Sequence, residues 1–348
     1  MKINFILPFT YLTGGIRVAF IYSNYLVANG HDVICYVPMK AYKFNYNIFT
    51  RIKASIGNTI KRREKVTWFN CNFKIKLVPM INNTFVRDAD ITIATAWPTA
   101  YDVEKLNNSK GKKVYLIQGY EVWSGPKEKV NMSYKLNLNR IVITKELKEL
   151  FRKKFNVNST VIYNGLDDSE YIQSEKDVYD RKTVMMMYSK EPIKGSVDGI
   201  NVINRLREKH NIDVILYGLK KDSSIPKHYK FYENPTREQL MTLYEKADIY
   251  LFTSKHESWG LPAMEAMANK CAVVGNKVGC LLEIATNGKD ALIIENFDYN
   301  KMFEMCEYLI NNKKKLKQIQ DNAYLLAKKF RWDKSFNLFE EYLYNIIK

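Results

Sequence analysis

Two glutamates, Glu257 and Glu265, stand with seven residues between them in the segment Ser254-Lys255-His256-Glu257-Ser258-Trp259-Gly260-Leu261-Pro262-Ala263-Met264-Glu265-Ala266-Met267-Ala268. The apolar run Ile249–Phe252 comes directly before it and reads as a strand. Pro262 suits the first position of a helix, and Ala263–Ala268 are good helix formers. Leu261 is then the expected N-cap, and it has no side-chain oxygen for the first amides. Open amides at the positive end of a helix are what an anion-binding site needs. With Glu257 in the loop and Glu265 in the first turn or so, both carboxylates can face one ligand. The glutamate spacing alone is common by chance; the strand before it and the Gly-Leu-Pro and Glu-Ala-Met-Ala context give it weight.

Gly14-Gly15 follows one predicted strand and opens a helix, so two residues without Cβ let the backbone approach a phosphate closely. A diphosphate held between this turn and the Leu261–Glu265 turn, on opposing domains, is the expectation that joins the two. Lys194 would add a point charge to it.

These residues need a scaffold of strands that end in loops, and the chain supplies it. Strand candidates are Lys2–Pro8, Asp32–Pro38, Asp90–Ala94, Lys113–Gln118, Arg140–Thr144 and Ser159–Tyr163, with a helix over Ile16–Asn29 stopped by Gly30. A polar stretch, Asp167–Lys182, reads as the interdomain linker. A second alternation follows: Thr183–Tyr188, Asp213–Tyr217, Lys230–Tyr232, Ile249–Phe252, Ala272–Gly275 and Ala291–Ile294. Strands alternating with helices predict parallel sheets covered by helices, in two doubly wound α/β domains whose ligands sit outside the carboxyl ends of the strands. A length of 348 residues suits two such domains.

Composition narrows the class. An apolar content of 46% and a charged content of 26% are ordinary for a folded protein. Five scattered cysteines without a Cys-x-x-Cys pair argue against a disulfide framework and a zinc site, and suit a reducing compartment. Met1–Pro8 reads as a first strand and not as a signal peptide, because the apolar run is short and broken by Pro8. No stretch approaches the ~20 apolar residues of a membrane span. The net charge of +17 is uneven: residues 1–168 hold 26 Lys and Arg against 12 Asp and Glu, and the remainder holds 28 against 25. The N-terminal half therefore faces something anionic or tolerates it.

Residues 248–283 resemble the donor-site signature of family 4 glycosyltransferases, which retain anomeric configuration and have the GT-B fold. Other fragments match in order: Gly14-Gly15, Gly30-His31-Asp32-Val33, Asn164-Gly165-Leu166-Asp167, Lys194-Gly195, Gly279-Cys280-Leu281-Leu282-Glu283, and Trp332 with the helix after it. The resemblance implies two Rossmann-like domains facing across a cleft. These are an acceptor domain (1–168) and a donor domain (169–330), with a closing helix (331–348) that crosses back to the first. It implies a cytoplasmic enzyme, peripheral at most, moving a hexosyl or deoxyhexosyl group from a nucleotide sugar to a lipid-linked or glycan acceptor in cell-surface polysaccharide synthesis. Glu257, Lys194 and Gln118 are the implied catalytic residues. Donor contacts are Gly14, Gly15, Lys190, Lys194, Gly218, Tyr232, Asn234, Glu257, Trp259, Gly260, Leu261 and Glu265. Within that set Glu257 holds the sugar and Glu265 the ribose, while Tyr232 and Asn234 lie where the base is met. No metal and no other cofactor is expected.

Three places depart from the pattern or stand outside it. Ser189 takes the place of a usual arginine, and Lys190 beside it is expected to help neutralise the diphosphate. Gln118 replaces a usual histidine; it can hydrogen-bond a sugar hydroxyl but cannot act as a titratable base. That variant resembles a branch containing rhamnosyltransferases, which implies a deoxythymidine-diphosphate rhamnose donor. Asp88-Ala89-Asp90 matches the Asp-x-Asp of the metal-dependent glycosyltransferase fold, yet it lies at the entry to a strand and is read as structural. In Ile48–Lys65, isoleucines recur every fourth residue among basic residues, the pattern of a helix lying on an anionic leaflet or packed with a solvated basic face. Two rival readings are a catalytically silent GT-B partner protein and a basic nucleic-acid-binding protein, though no nucleic-acid motif supports the latter.

Overall fold

The computed structural model describes residues 1–42, 44, 55, 65–173, 175, 176 and 181–348. Apart from Ser55 and Lys65, the basic segment Ile48–Lys65 lies outside the described residues. The chain forms two compact units, Met1–Asn164 with Asp333–Lys348, and Gly165–Trp332.

The first unit is built on a seven-stranded sheet of β1 (Lys2–Ile6), β2 (Asp32–Pro38), β3 (Lys74–Val78), β4 (Ile91–Ala94), β5 (Lys112–Ile117), β6 (Asn139–Val142) and β7 (Thr160–Val161). Its order is β3-β2-β1-β4-β5-β6-β7, and every pairing is parallel. Central strands such as β4 are buried on both faces, which is why they read as largely apolar runs without alternation, Thr92 being the one polar residue of β4. β3, Lys-Ile-Lys-Leu-Val, is an edge strand with exposed lysines; its mixed pattern hid it from sequence, and the charges guard the open edge. Helices α2 (Trp97–Glu104), α3 (Lys127–Ser133) and α4 (Lys145–Phe155) follow β4, β5 and β6 in turn.

Helix α1 (Gly14–Ala28) begins two residues earlier than expected, because the Thr13 hydroxyl caps it by accepting the Ile16 amide at 3.3 Å. The stretch Asp333–Lys348 returns to this unit and places Phe336 and Phe339 on α1. Tyr22 stacks on Phe339 with centroids 4.1 Å apart, and Tyr25 stacks on Phe336 at 4.2 Å. The Tyr25 hydroxyl donates to Glu340 at 2.8 Å.

The second unit repeats the plan with β8 (Thr183–Met187), β9 (Asp213–Gly218), β10 (Lys230–Glu233), β11 (Ile249–Phe252), β12 (Ala272–Asn276) and β13 (Leu292–Ile294). The order is β10-β9-β8-β11-β12-β13, again parallel throughout. Between and after these strands run α5 (Ser196–Lys209), α6 (Arg237–Lys246), α7 (Leu261–Ala268), α8 (Cys280–Glu283), α9 (Tyr299–Asn311) and α10 (Lys313–Ala327), while α11 (Trp332–Ile347) belongs from Asp333 onwards to the first unit. Val184, Met186, Leu216, Ile249, Leu251 and Val274 from the strands meet Ile203 and Leu309 from the helices in one core.

The observed bounds fall at 164/165 and 332/333, where sequence placed 168/169 and 330/331. The reason is local. Leu166 pairs with Arg331 in a parallel bridge, its amide donating to the Phe330 carbonyl at 3.0 Å and its carbonyl accepting from Trp332 at 3.3 Å. The stretch read as a linker starts as packed structure too, with Tyr171 and Ile172 buried. Gly165 sits so close to this pairing that a Cβ would lie 2.3 Å from the Trp332 nitrogen. Gly165→Ala is therefore expected to destabilise the protein by about 1–3 kcal/mol, read as a lowered urea midpoint. An unmoved midpoint would show that the backbone here yields without cost.

Candidate functional site

In a doubly wound sheet the order reverses at one point, and loops on either side diverge to leave room for a ligand. In the second unit that point lies between β8 and β11. The loop after β8 carries Lys194 and the loop after β11 carries Glu257. They are stitched together: the Thr253 hydroxyl donates to the Lys194 carbonyl at 2.8 Å, and the Lys255 amide donates to the Ile193 carbonyl at 2.7 Å. Gly195, at φ +62°, turns the chain into α5 where a Cβ would strike the Thr253 carbonyl at 2.3 Å. Asn276, at the end of β12, fixes the same loop by donating to the Thr253 and Ser254 carbonyls at 2.8 and 3.1 Å. On this frame the Lys194 ammonium forms an ion pair with Glu257 Oε1, which also accepts from the Ser254 hydroxyl at 3.1 Å. Both side chains keep some solvent access, 26% for Lys194 and 17% for Glu257.

Helix α7 follows. Its N-cap is Gly260 in the left-handed region, at φ 84°, and Leu261 is the first helical residue, one position earlier than expected from sequence. The physical reading is unchanged, since no side chain caps this end. Trp259, expected as a donor contact, is only 3% exposed, and its ring packs on Phe330 with centroids 5.6 Å apart.

Glu265 also has an unexpected setting. It is buried, and Arg237 Nη1 lies 3.0 Å from its Oε1 while Nη2 of the same guanidinium pairs with the buried Glu170. Burial lowers the Arg237 pKa, but the charges of Glu265 and Glu170 outweigh that and hold it above its usual value. Tyr217, Tyr244 and Tyr250 share hydroxyl contacts at 2.7 and 3.3 Å nearby. Desolvation raises all three phenols, and the negative charge of Glu265 raises them further. Glu257 and Glu265 thus have separate partners, Lys194 and Arg237. Sequence reasoning missed Arg237 and Glu170. The capping box Thr236–Gln239 announces the start of α6, but no local signal announces what its first residue reaches.

Lys190 is exposed and lies 3.3 Å from Asp222. Hydrogen bonds from Ser224 and Tyr188, with Lys190 beside them, hold the Asp222 carboxyl below the usual range. Ser189 closes a turn, its hydroxyl accepting the Glu191 amide at 3.2 Å. Gly218 ends β9 with a Cβ position 2.3 Å from the Tyr188 carbonyl, so close packing already requires glycine there. Asn234 adopts φ 45° and donates its amide to the Gly218 carbonyl at 2.7 Å, and Tyr232 on β10 lies under Lys230 at 4.9 Å.

In the first unit a Cβ on Gly14 would meet nothing within 4 Å, so the start of α1 is open on that side. Gln118, just past β5, donates to the Gly15 carbonyl at 2.9 Å, which locks its amide to the first turn of α1. Three residues on, Glu121 accepts the Trp97 amide at 3.1 Å. Asp88 pairs with Lys110 at 2.7 Å, and Asp90 accepts the Lys2 amide at 2.7 Å, at the amino ends of the strands and far along them from Gln118. Among the described residues no group of three His, Cys, Asp or Glu side chains forms a metal-binding cluster, and no helix is long and apolar enough to cross a membrane.

Residues 167–326 match the family described as Glycosyl transferases group 1. An uncharacterized glycosyltransferase of Methanocaldococcus jannaschii is 26% identical over 203 residues, covering 56% of each chain. The O-antigen chain mannosyltransferase RfbU of Salmonella typhimurium is 25% identical over 172 residues, 46% of this chain and 48% of that protein. The chain spans about half the length of these curated relatives. Anabaena HepE, solved in complex with UDP and glucose, superposes with a TM-score of 0.76 at 15% identity and covers 99% of both chains. The likeness over full length shows the GT-B fold.

Proposed function

We propose that this chain is a glycosyltransferase of the retaining, metal-independent kind, moving a sugar from a nucleoside diphosphate to a glycan or lipid-linked acceptor. The observation that carries the reading is the Lys194–Glu257 pair at the switch point of the second sheet, beside the uncapped start of α7. The match of residues 167–326 to Glycosyl transferases group 1 supports it. So do the UDP and glucose of HepE and the mannosyl transfer named for the Salmonella relative.

In this reading the sugar leaves with negative charge developing on the diphosphate. The first amides of α7 and the Lys194 ammonium stabilise that charge in the transition state. The Gly14-Gly15 start of α1 is a further phosphate-approach point. Glu257 holds the sugar hydroxyls, and Gln118 hydrogen-bonds a sugar hydroxyl without taking a proton. Glu265, braced by Arg237, takes the ribose; Tyr232 and Asn234 meet the base, and Lys190 adds positive charge. A deoxythymidine-diphosphate rhamnose donor, a role in cell-surface polysaccharide synthesis, and an anionic cytoplasmic membrane face met by Ile48–Lys65 belong to the same proposal.

A melting-temperature panel with UDP, dTDP and GDP and their sugars tests the donor reading. One nucleotide class is expected to stabilise the protein by about 2.7 kcal/mol at a hundredfold excess over its Kd, and the others little. If none of the three moves the transition, the donor site is misassigned.

A further inference from the structure

Lys194 and Glu257 are read above as meeting different parts of one donor, the diphosphate and the sugar, yet in this structure they hold each other. The Lys194 ammonium pairs with Glu257 Oε1. The same oxygen accepts from the Ser254 hydroxyl at 3.1 Å, and Ser254 is buried. The backbone around the pair is fixed. The Lys194 amide donates to the Glu191 carbonyl at 2.9 Å, and its carbonyl accepts from the Thr253 hydroxyl at 2.8 Å. Gly279, at φ +56°, brings the chain close under Glu257: a Cβ there would lie 3.1 Å from the Glu257 Cβ and 2.6 Å from the Trp259 carbonyl. The neighbouring Lys255 has a carboxylate of its own, Asp198, at 2.8 Å. Only the four-carbon stem of Lys194 has to turn for the ammonium to leave Glu257.

Both side chains keep only part of their surface in water. A nucleoside diphosphate that draws the ammonium away leaves the carboxylate with the Ser254 hydroxyl as its remaining partner, and with a like charge close by. A half-desolvated charge that loses a partner is penalised by more than the pair gained from forming. A sugar on the same diphosphate changes the balance. Its hydroxyls donate to the carboxylate and replace the partner that left.

We propose that the Lys194–Glu257 pair is an exchangeable lock that tells an intact nucleotide sugar from the nucleoside diphosphate left after transfer, a role that rests on the transferase reading above. The diphosphate takes Lys194 and the sugar hydroxyls take Glu257, and each exchange is costly without the other. Ser254 is a positioning residue that holds the carboxylate while its cation is away. Once the sugar has gone, Glu257 draws Lys194 back, which weakens the hold on the diphosphate and favours its release.

The test is calorimetric titration of the full chain with UDP and UDP-glucose, dTDP and dTDP-glucose, and GDP and GDP-mannose. For the nucleotide class that binds, wild type is expected to hold the nucleotide sugar about ten- to a hundredfold more tightly than the diphosphate. Glu257→Gln keeps an oxygen for Ser254 but releases Lys194. It should bind the diphosphate about tenfold more tightly than wild type, and the gap between the two ligands should close to within about threefold. The gain depends on Lys194, so adding Glu257→Gln to Lys194→Met should leave diphosphate affinity within about twofold of Lys194→Met alone. Melting temperatures of the free variants check folding, and they should stay near wild type because the pair is partly exposed. A gain that persists without Lys194 would be plain repulsion between like charges and would overturn the exchange. So would equal affinity of wild type for both ligands, or a Glu257→Gln variant that binds the diphosphate no more tightly; either leaves the donor reading standing. Binding of none of the six ligands removes both.

Discussion

Lys194→Ala lowers turnover by about two to three orders of magnitude, the usual cost of deleting one preorganised donor to a developing negative charge. In the resting site Lys194 pairs with Glu257, and the pair is partly open to solvent, so the free protein should lose only about 1 kcal/mol or less. Steady-state kinetics with the nucleotide sugar picked out by the melting panel gives the reading. A fall in kcat that equals the fall in kcat/KM places the interaction in the transition state. A raised KM with kcat intact would mean that Lys194 only holds the ground state, and the leaving-group role would be withdrawn. Lys194→Arg is expected to recover part of the rate at best, because a planar fork does not replace a compact ammonium in a loop stitched at Ile193 and Lys194.

Arg237→Met is expected to cost about 3–5 kcal/mol of stability, the largest such effect among the site residues. The side chains of Glu170 and Glu265 are each only 4% exposed, and both lean on the one guanidinium. Removing it leaves two desolvated carboxylates facing each other's field. A methionine fills the volume without the charge, so the loss reflects electrostatics more than a cavity. Adding Glu265→Ala to Arg237→Met should restore part of the stability, since one stranded carboxylate is then gone, and the non-additivity of the cycle measures the coupling. Urea midpoints of the three variants decide this. A double variant less stable than Arg237→Met would show that Glu265 is held by other contacts and that the arginine is dispensable to it.

Much of the scaffold was readable before any coordinates. Buried parallel strands such as Ile249–Phe252 are made of apolar and aromatic residues throughout, and Ile91–Ala94 departs from that only at Thr92, so composition marks them. The edge strand Lys74–Val78 was not, because half of it faces water and its lysines imitate a loop. The chemistry was legible where it is local: Glu257, the uncapped turn after it and Lys194-Gly195 each carry their signal within a few residues. What escaped is non-local. Nothing near Arg237 in the chain indicates Glu170 or Glu265, and nothing near Glu121 indicates the Trp97 amide.

The second unit is one uninterrupted stretch, Gly165–Trp332, whose ends are paired at Leu166 and Arg331, whereas the first unit is completed by Asp333–Lys348. A ribosome delivers the chain from its N-terminus, so the stretch that closes the second unit emerges before the aromatic side chains that cover Tyr22 and Tyr25. The half begun first is therefore the half finished last. On α1, Tyr22 and Tyr25 lack these aromatic neighbours until Phe336 and Phe339 leave the exit tunnel.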